Sequence, residues 1–174
     1  MSRNIVVTTI KRCAVLGALL LGTLPAAVAA ELPNPMVTNH MLAVVNQVRE
    51  RAGLNPVAAN PQLMGIAQSL ANDLAARRGL SHVDSQGNGI GKRFTQAGYI
   101  YAVAVEAVAG GSASAEETVN QWMAEPQNRD VLLNPAVTDA GIGYAYRADE
   151  SNNRGLAYYW VLDLGSAVER GPGP

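Results

Sequence analysis

Cysteine is almost absent from the 174-residue sequence, in which Cys13 is the only one. Because Cys13 lies in a segment with the features of a cleaved leader, the rest of the chain can form no disulfide and has no thiol nucleophile or thiolate ligand. Histidine is nearly as scarce, with two residues in the whole chain, His40 and His82. Structural zinc sites take about four nitrogen or sulfur ligands, so this composition excludes a closed zinc site.

Residues 1–30 predict a secretory signal peptide. Three basic residues, the last two at Lys11-Arg12, accompany a short apolar run that ends on the small residues Ala27-Val28-Ala29-Ala30. The run is shorter than the about 20 apolar residues that span a bilayer, and Lys11-Arg12 before Cys13 do not fit a lipoprotein anchor. We therefore expect a secreted or periplasmic protein without a stable membrane anchor after cleavage.

Positive charge is also in short supply once the leader is removed. The leader contains three of the 13 basic residues and none of the 14 acidic residues, which leaves a formal charge of −4. Such a surface lacks the basic patch that attracts nucleic acids or anionic membranes. We therefore expect no nucleic-acid partner, and a small molecule, lipid or peptide as the ligand.

The chain after the leader has the length of one domain, over residues 31–168, and the Gly- and Pro-rich end at 169–174 is predicted to be a disordered tail. Apolar spacings of three and four predict a helix over 38–53 and a second helix from the N-cap Asn60 to Gly79. The patterns further along predict helices over 92–97 and 114–123 and strands over 101–109, 141–146 and 158–164. Helices in the front half and strands in the back half indicate an α+β fold.

Two further segments have simple structural interpretations. The Gly-rich segment 84–91 fails the phosphate-loop pattern at Gln86 and Arg93 and is expected to be a flexible loop. Trp122 and Trp160 lie in apolar patterns, which predicts that both are core residues and not a ligand-stacking pair.

Glu106 interrupts an apolar strand. Because an unpaired buried charge is costly, its carboxylate is expected to bind a proton, a cation or several hydrogen-bond donors. The residues leave open whether this is a structural network or a functional site. His82, which follows the second helix, is either a structural hydrogen-bond donor or a ligand or base. Glu125, which lies one helical turn after Trp122, is either a surface acid near a helix end or part of a site.

The order and spacing of several motifs resemble the CAP superfamily, in its bacterial form, which groups cysteine-rich secretory proteins, antigen 5 and pathogenesis-related 1 proteins. The matching segments are Asn46 to Leu54 for LNxxRxxxGL, Leu63–Ala71 for LxxxAxxxA, Ser81-His82 for SH, Arg93 to Tyr99 for R…aGY, Val105–Ala109 for GENIA, Trp122 to Gly143 for W…SPGHRxNILNPxFTxxGxG, and Tyr159–Gly165 for YWVQDFG. The resemblance implies an α–β–α sandwich, with a small antiparallel sheet between helical layers.

The resemblance also implies a cleft built on two histidines and two glutamates. The first histidine matches His82, and the glutamates match Glu106 and Glu125, whereas Asn128 stands at the position of the second histidine. An amide is a poor zinc ligand. The resemblance therefore implies no cofactor, a metal bound at most by His82 with Glu106 or Glu125, and weak divalent-cation binding as the limit.

Three functions are compatible with these residues. The first is an exported binding module without catalysis, whose cleft or adjacent groove takes a small ligand, lipid, peptide or glycan. The second is a hydrolase in which Glu106 or Glu125 acts as the base and His82 positions water. The third is a structural or interaction domain with a vestigial cleft. The first is favoured, because no strong nucleophile is visible and the acids have no firmly bound metal with which to activate water.

Overall fold

The computed structural model of the protein describes residues 34–148 and 156–168. The predicted signal peptide at 1–30 and the predicted tail at 169–174 lie outside the described residues. Within the two described ranges, no helix combines the length and the apolar character that crossing a membrane requires.

Two long helices, α1 (Pro35–Arg51) and α2 (Pro61–Arg77), form most of the front half of the domain. Each begins after an asparagine, Asn34 or Asn60, whose side chain accepts hydrogen bonds from backbone N–H groups of the first turn. The proline that follows each asparagine lacks a backbone N–H, which costs nothing here because an N–H at the first helical position has no partner within the helix. Helix α1 starts before the predicted Thr38, because Asn34-Pro35 is the stronger start signal.

The other elements follow in chain order. They are β1 (Ala58–Ala59), α3 (Ile90–Gln96), β2 (Tyr101–Gly110), α4 (Ala115–Ala124), α5 (Pro126–Leu132), β3 (Asp139–Tyr146) and β4 (Tyr158–Ala167). Ser114 is the N-cap of α4, as predicted, and accepts a hydrogen bond from the backbone N–H of Glu117. Extended backbone at Glu125 separates α4 from α5.

The four strands form one mixed sheet in the order β1-β3-β4-β2. Strand β4 is antiparallel to both β3 and β2, whereas β1 pairs in parallel with β3. The α+β class and the small sheet are confirmed. The three predicted strands β2, β3 and β4 are antiparallel, and the two-residue strand β1 adds a parallel edge to them. A strand of two residues has no periodicity to detect, and Ala58 pairs with Asp139, which is distant in sequence.

Helices cover both faces of the sheet. One face packs on α1, α4 and α5 around Trp122 and Trp160, each of which is 1% exposed. The other face packs on α2 around Leu70, Leu74 and Tyr159. The α–β–α sandwich and the core location of both tryptophans are therefore confirmed.

Helix α2 and strand β3 are in direct backbone contact. A Cβ atom at Gly143 would lie 2.0 Å from the Ala67 oxygen, and one at Gly141 would lie 2.2 Å from the Leu63 carbonyl. Glycine at both positions permits this approach. The α2 face of the sheet is thus the one on which Gly141 lies, and this assignment places the functional residues below.

Candidate functional site

Glu106 and Asp163 are two acids that lie side by side within the sandwich. They are cross-strand partners on β2 and β4, and Asp163 is in turn paired with Gly141 of β3, so all three share the face that α2 covers. The side chain of Glu106 is 2% exposed and Asp163 is 0% exposed. Two neighbouring buried carboxyl groups require a proton or a cation between them to be stable.

Two basic side chains bind Glu106, one on each carboxylate oxygen. The Nδ1 atom of His82 lies 2.7 Å from Oε1, and the guanidinium of Arg93 forms an ion pair with Oε2. Arg93 is buried, whereas the His82 side chain is 59% exposed. The expectation that specific partners bind the Glu106 carboxylate is confirmed.

Arg93 also fixes the loop that carries His82. Its Nη1 atom donates hydrogen bonds to the backbone oxygens of His82, at 3.0 Å, and of Asn88, at 2.9 Å. The Asp84 carboxylate accepts hydrogen bonds from the backbone and the side chain of Asn88. The segment 84–91 is expected to be a flexible loop. In the structure these hydrogen bonds hold it in place, because the buried Arg93 takes backbone carbonyl groups as acceptors.

The environment raises the pKa values of the two groups beside Glu106, which are His82 and Asp163. The hydrogen bond that His82 donates to Glu106 raises the pKa of His82, and the negative charge of Glu106 raises it further. Partial burial and the Arg93 charge act against this rise. Burial raises the pKa of Asp163 well above its usual range, and the charge of Glu106 raises it further. Both effects favour the protonated form, so Asp163 holds its proton to a higher pH than an exposed aspartate does.

Glu125 and Asn128 form a second pair, at the junction of α4 and α5. The Oε2 atom of Glu125 accepts a hydrogen bond from Nδ2 of Asn128 at 2.8 Å. Helix α5 packs against β2, which carries Glu106. Within residues 34–148 and 156–168, however, no hydrogen bond or ion pair connects this pair to His82 or Glu106. The four predicted residues thus form two pairs, and their shared cleft stays a prediction.

The donor set around Glu106 does not fit a zinc ion. Both oxygens of Glu106 and the Nδ1 atom of His82 are already bound, and the Arg93 charge beside them repels a cation. In the described part of the chain, no group of three or more His, Cys, Asp or Glu residues is arranged to hold a metal ion. The residues present suit a hydrogen-bond network better than a metal centre.

A separate apolar hollow lies between the N-terminal ends of α1 and α4 and has a volume of about 470 Å³. Met36 and Val37 of α1, Ala113 and the buried Trp160 contribute apolar surface to it. His40 and Glu116 also line the hollow, and their side chains join the two helices through a hydrogen bond of 2.8 Å. We call this space the α1–α4 hollow.

Sequence reasoning identified Glu106 and His82 as candidates but missed Arg93 and Asp163. Both occur in the family-like motifs, yet neither was assigned to the site. Asp163 gives the same signal as Glu106, because it is an acid within an apolar strand. Arg93 could have been sought as the cation that a buried Glu106 requires.

Comparison with known proteins places this architecture in a family. The family model described as "CAP: Cysteine-rich secretory protein family" matches residues 42–164. No curated protein sequence is significantly similar to the chain. Among solved structures, an outer surface protein from Borrelia burgdorferi is similar with a TM-score of 0.67 and 18% identity, over 75% of this chain and 92% of that one.

Two longer bacterial proteins contain a similar domain. An extracellular protein with an SCP domain from Bacillus anthracis has a TM-score of 0.65 and 18% identity, over 75% of this chain and 40% of its own. A cysteine-rich secretory protein from Staphylococcus aureus has a TM-score of 0.58 and 21% identity, over 76% of this chain and 39% of its own. At these identities the structural likeness shows the fold, and the family model, which spans well over half of the sequence, shows the family. The chain therefore belongs to the cysteine-rich secretory protein (CAP) family.

Proposed function

We propose that this CAP domain is an exported binding module that catalyses no reaction. The observation that carries the proposal is the state of Glu106, whose two carboxylate oxygens are bound by His82 and Arg93 and whose side chain is 2% exposed. A general base must reach the proton that it removes, directly or through one water. Glu106 is buried and fully engaged, so its role is to hold His82 and Arg93 in place.

His82 is the member of this network that can reach a ligand. Its Nδ1 atom is bound to Glu106, and its exposed ring leaves Nε2 directed away from that contact. Because the pKa of His82 is raised, the ring keeps its second proton to a higher pH than a free histidine, and in the protonated form Nε2 donates a hydrogen bond. A ligand with a hydrogen-bond acceptor or a negative charge matches this donor.

The α1–α4 hollow, on the other side of the sheet from His82, is a separate candidate site for an apolar ligand. Its volume of about 470 Å³ lies in the range that is usual for small-molecule sites. Trp160 forms part of its wall, and apolar side chains from two helices surround it. This supports a lipid or another ligand with an apolar portion as the molecule that is bound there.

A hydrolase is the second candidate, and one observation favours it. The contact between His82 Nδ1 and Glu106 resembles the arrangement in which a carboxylate orients a histidine base. Water would have to act as the nucleophile, because no serine or cysteine nucleophile pairs with His82 in the described residues. A metal to activate that water also lacks a fitting donor set.

We also propose that the domain is exported and that it functions without a bound metal. The leader-like segment at 1–30 supports export, as does the likeness to proteins described as outer surface or extracellular. The engagement of Glu106 and the amide at Asn128 support a domain that needs no cofactor, with weak divalent-cation binding as the limit.

Mass spectrometry of the protein purified from its own host tests the binding role. We expect organic extracts to contain one small molecule in near-stoichiometric amount, and elemental analysis to find no zinc. Assays with ester and peptide substrates should give equal background rates for the wild type and Glu106→Gln. A rate that Glu106→Gln abolishes would establish the hydrolase instead.

The α1–α4 hollow can be tested with the dye 1-anilinonaphthalene-8-sulfonate. Ala113 is exposed and lines the hollow, so Ala113→Phe should cover the opening and weaken dye binding. Ala136→Phe adds the same ring at an exposed position outside this lining and is the matched control. Equal dye binding by both variants would argue against a ligand in the hollow.

A further inference from the structure

A second pocket lies on the other side of the sheet from the α1–α4 hollow. It is enclosed between α2, α3 and the loop at 84–88. Its volume is about 480 Å³. Gln62 and Ser69 of α2, Gln86 and Asn88 of the loop, and Gln96 of α3 line it with amide and hydroxyl groups. We call it the α2–α3 pocket; neither His82 nor the α1–α4 hollow belongs to it.

The polar groups that this pocket offers to a ligand are neutral. Its two charged residues, Asp84 and Arg93, are already bound within the protein, Asp84 by Asn88 and Arg93 by Glu106. The side chains of Ser69, Gln86 and Gln96, by contrast, make no hydrogen bond to any part of the chain that the structure describes. Amides and hydroxyls each donate and accept, so they match a ligand with hydroxyl groups.

The floor of the pocket contains a glycine that the fold does not require. Gly65 lies inside α2, is exposed, and has no atom within 4 Å of the position that a Cβ would take. Alanine would stabilise the helix at such a position without a clash. The side chain that is missing here leaves space above the helix backbone, between Pro61 and Ser69, which also line the pocket.

From these observations we infer that the α2–α3 pocket binds a neutral oligosaccharide. A charged ligand would meet no unpaired opposite charge, and an apolar ligand would leave the amides without partners. The ring carbons of a sugar can lie on Pro61 and Ile66, while its hydroxyls bond to Ser69, Gln86 and Gln96. The α2–α3 pocket shares only Arg93 with the His82–Glu106 network of the proposed function, and the charge of Arg93 is directed to Glu106. Sugar binding in the pocket and the proposed function can therefore be tested separately.

NMR of the ¹⁵N-labelled domain tests this inference, because it detects weak binding and maps it. Cellotriose, maltotriose and triacetylchitotriose are added up to about 10 mM, a range in which millimolar affinity is visible. Trigalacturonate serves as the charged counterpart. We expect at least one neutral sugar to shift the amide signals of Gly65, Gln86 and Gln96, and trigalacturonate to leave them unchanged.

Variants at the pocket floor separate binding from stability. Gly65→Ala and Gly65→Leu fill the space stepwise and should raise the Tm while they weaken sugar binding, by about tenfold for leucine. Ala76→Gly, at an exposed α2 position outside the pocket, should lower the Tm and leave binding unchanged. The inference is overturned if no neutral sugar shifts these signals, if trigalacturonate binds as well, or if Gly65→Leu binds like the wild type.

Discussion

Asp163 illustrates how burial and a neighbouring charge control a single residue. It is fully buried beside Glu106, and its hydrogen-bond and charge interactions with that carboxylate both favour the protonated form. An ionised carboxylate in that position would be uncompensated, because Arg93 and His82 are bound to Glu106 instead. Asp163 therefore keeps its proton, and this ties the stability of the domain to pH.

We predict that the stabilising contribution of the Asp163 proton declines as the pH rises above about 4, where an unfolded aspartate ionises. The folded state keeps the Asp163 proton that the unfolded state releases, because the pKa of Asp163 is raised. The raised pKa of His82 acts in the same direction. The protonated ring stabilises the folded state fully below the usual histidine pKa, and this stabilisation is lost as the pH rises through the raised pKa. Asp163→Asn should therefore flatten the dependence of Tm on pH.

Scanning calorimetry between about pH 4 and pH 8 measures this slope. Asp130→Asn, at an exposed position on α5, is the matched control and should keep the wild-type slope. An unchanged slope in Asp163→Asn would show that this acid ionises in the folded state.

The two tryptophans should differ in their need for a hydrogen bond. Replacing either by alanine is expected to lower the free energy of unfolding by about 3–5 kcal/mol, because both are fully buried. The Nε1 atom of Trp160 donates to the Ser112 oxygen at 2.8 Å, whereas that of Trp122 has no partner among the described residues. Trp160→Phe should therefore cost about 1 kcal/mol more than Trp122→Phe in urea unfolding. Equal costs would mean that the Ser112 contact contributes nothing.

At the scale of elements, the packing of α2 on β3 depends on two glycines. Gly143→Ala would place a methyl group 2.0 Å from the Ala67 oxygen, so the helix and the strand would have to separate. We expect a loss of about 3 kcal/mol in the free energy of unfolding. Gly89→Ala, whose new Cβ would have no neighbour within 4 Å, should cost about 1 kcal/mol at most, because Gly89 is the N-cap of α3 and alanine is the poorer cap. Denaturant unfolding of both variants measures the difference, and similar losses would contradict the close contact.

Elements that depend on local signals were predictable, and those that depend on distant contacts were not. Asn60-Pro61 marks the start of α2 because capping acts within one turn. Strand β1 has two residues and exists through its pairing with β3, which no local pattern reveals. For the site, Glu106 was found because an acid in an apolar strand is conspicuous. Its partner Arg93 approaches it only through the tertiary packing of α3 on β2.

At the scale of the whole molecule, the four residues of the predicted cleft belong to two hydrogen-bonded pairs. His82 and Glu106 lie on the side of the sheet that faces α2, while Glu125 and Asn128 lie at the junction of α4 and α5. If the two pairs meet at the flank of β2, a second imidazole at position 128 can join His82 in one metal site. We predict that the wild type binds zinc weakly at most, and that Asn128→His gains affinity.

The reason for this gain is that a second imidazole would supply a ligand that zinc prefers over an amide. Calorimetric titration with zinc should detect binding in Asn128→His at neutral pH and a weaker signal at mildly acidic pH, because protonated histidines do not bind metal. Asn120→His, at an exposed position on α4, is the control. No gain in Asn128→His would place residue 128 outside the cleft.

His82 and Arg93 engage Glu106 and so leave it unavailable as a base or a metal ligand. An NMR titration of the ¹⁵N-labelled His82 ring measures this engagement, because the hydrogen bond that His82 donates to Glu106 is the largest cause of the raised pKa. We predict that His82 in the wild type titrates above the usual value of about 6.5, and that Glu106→Gln lowers its pKa. The same His82 pKa in both proteins would contradict the account.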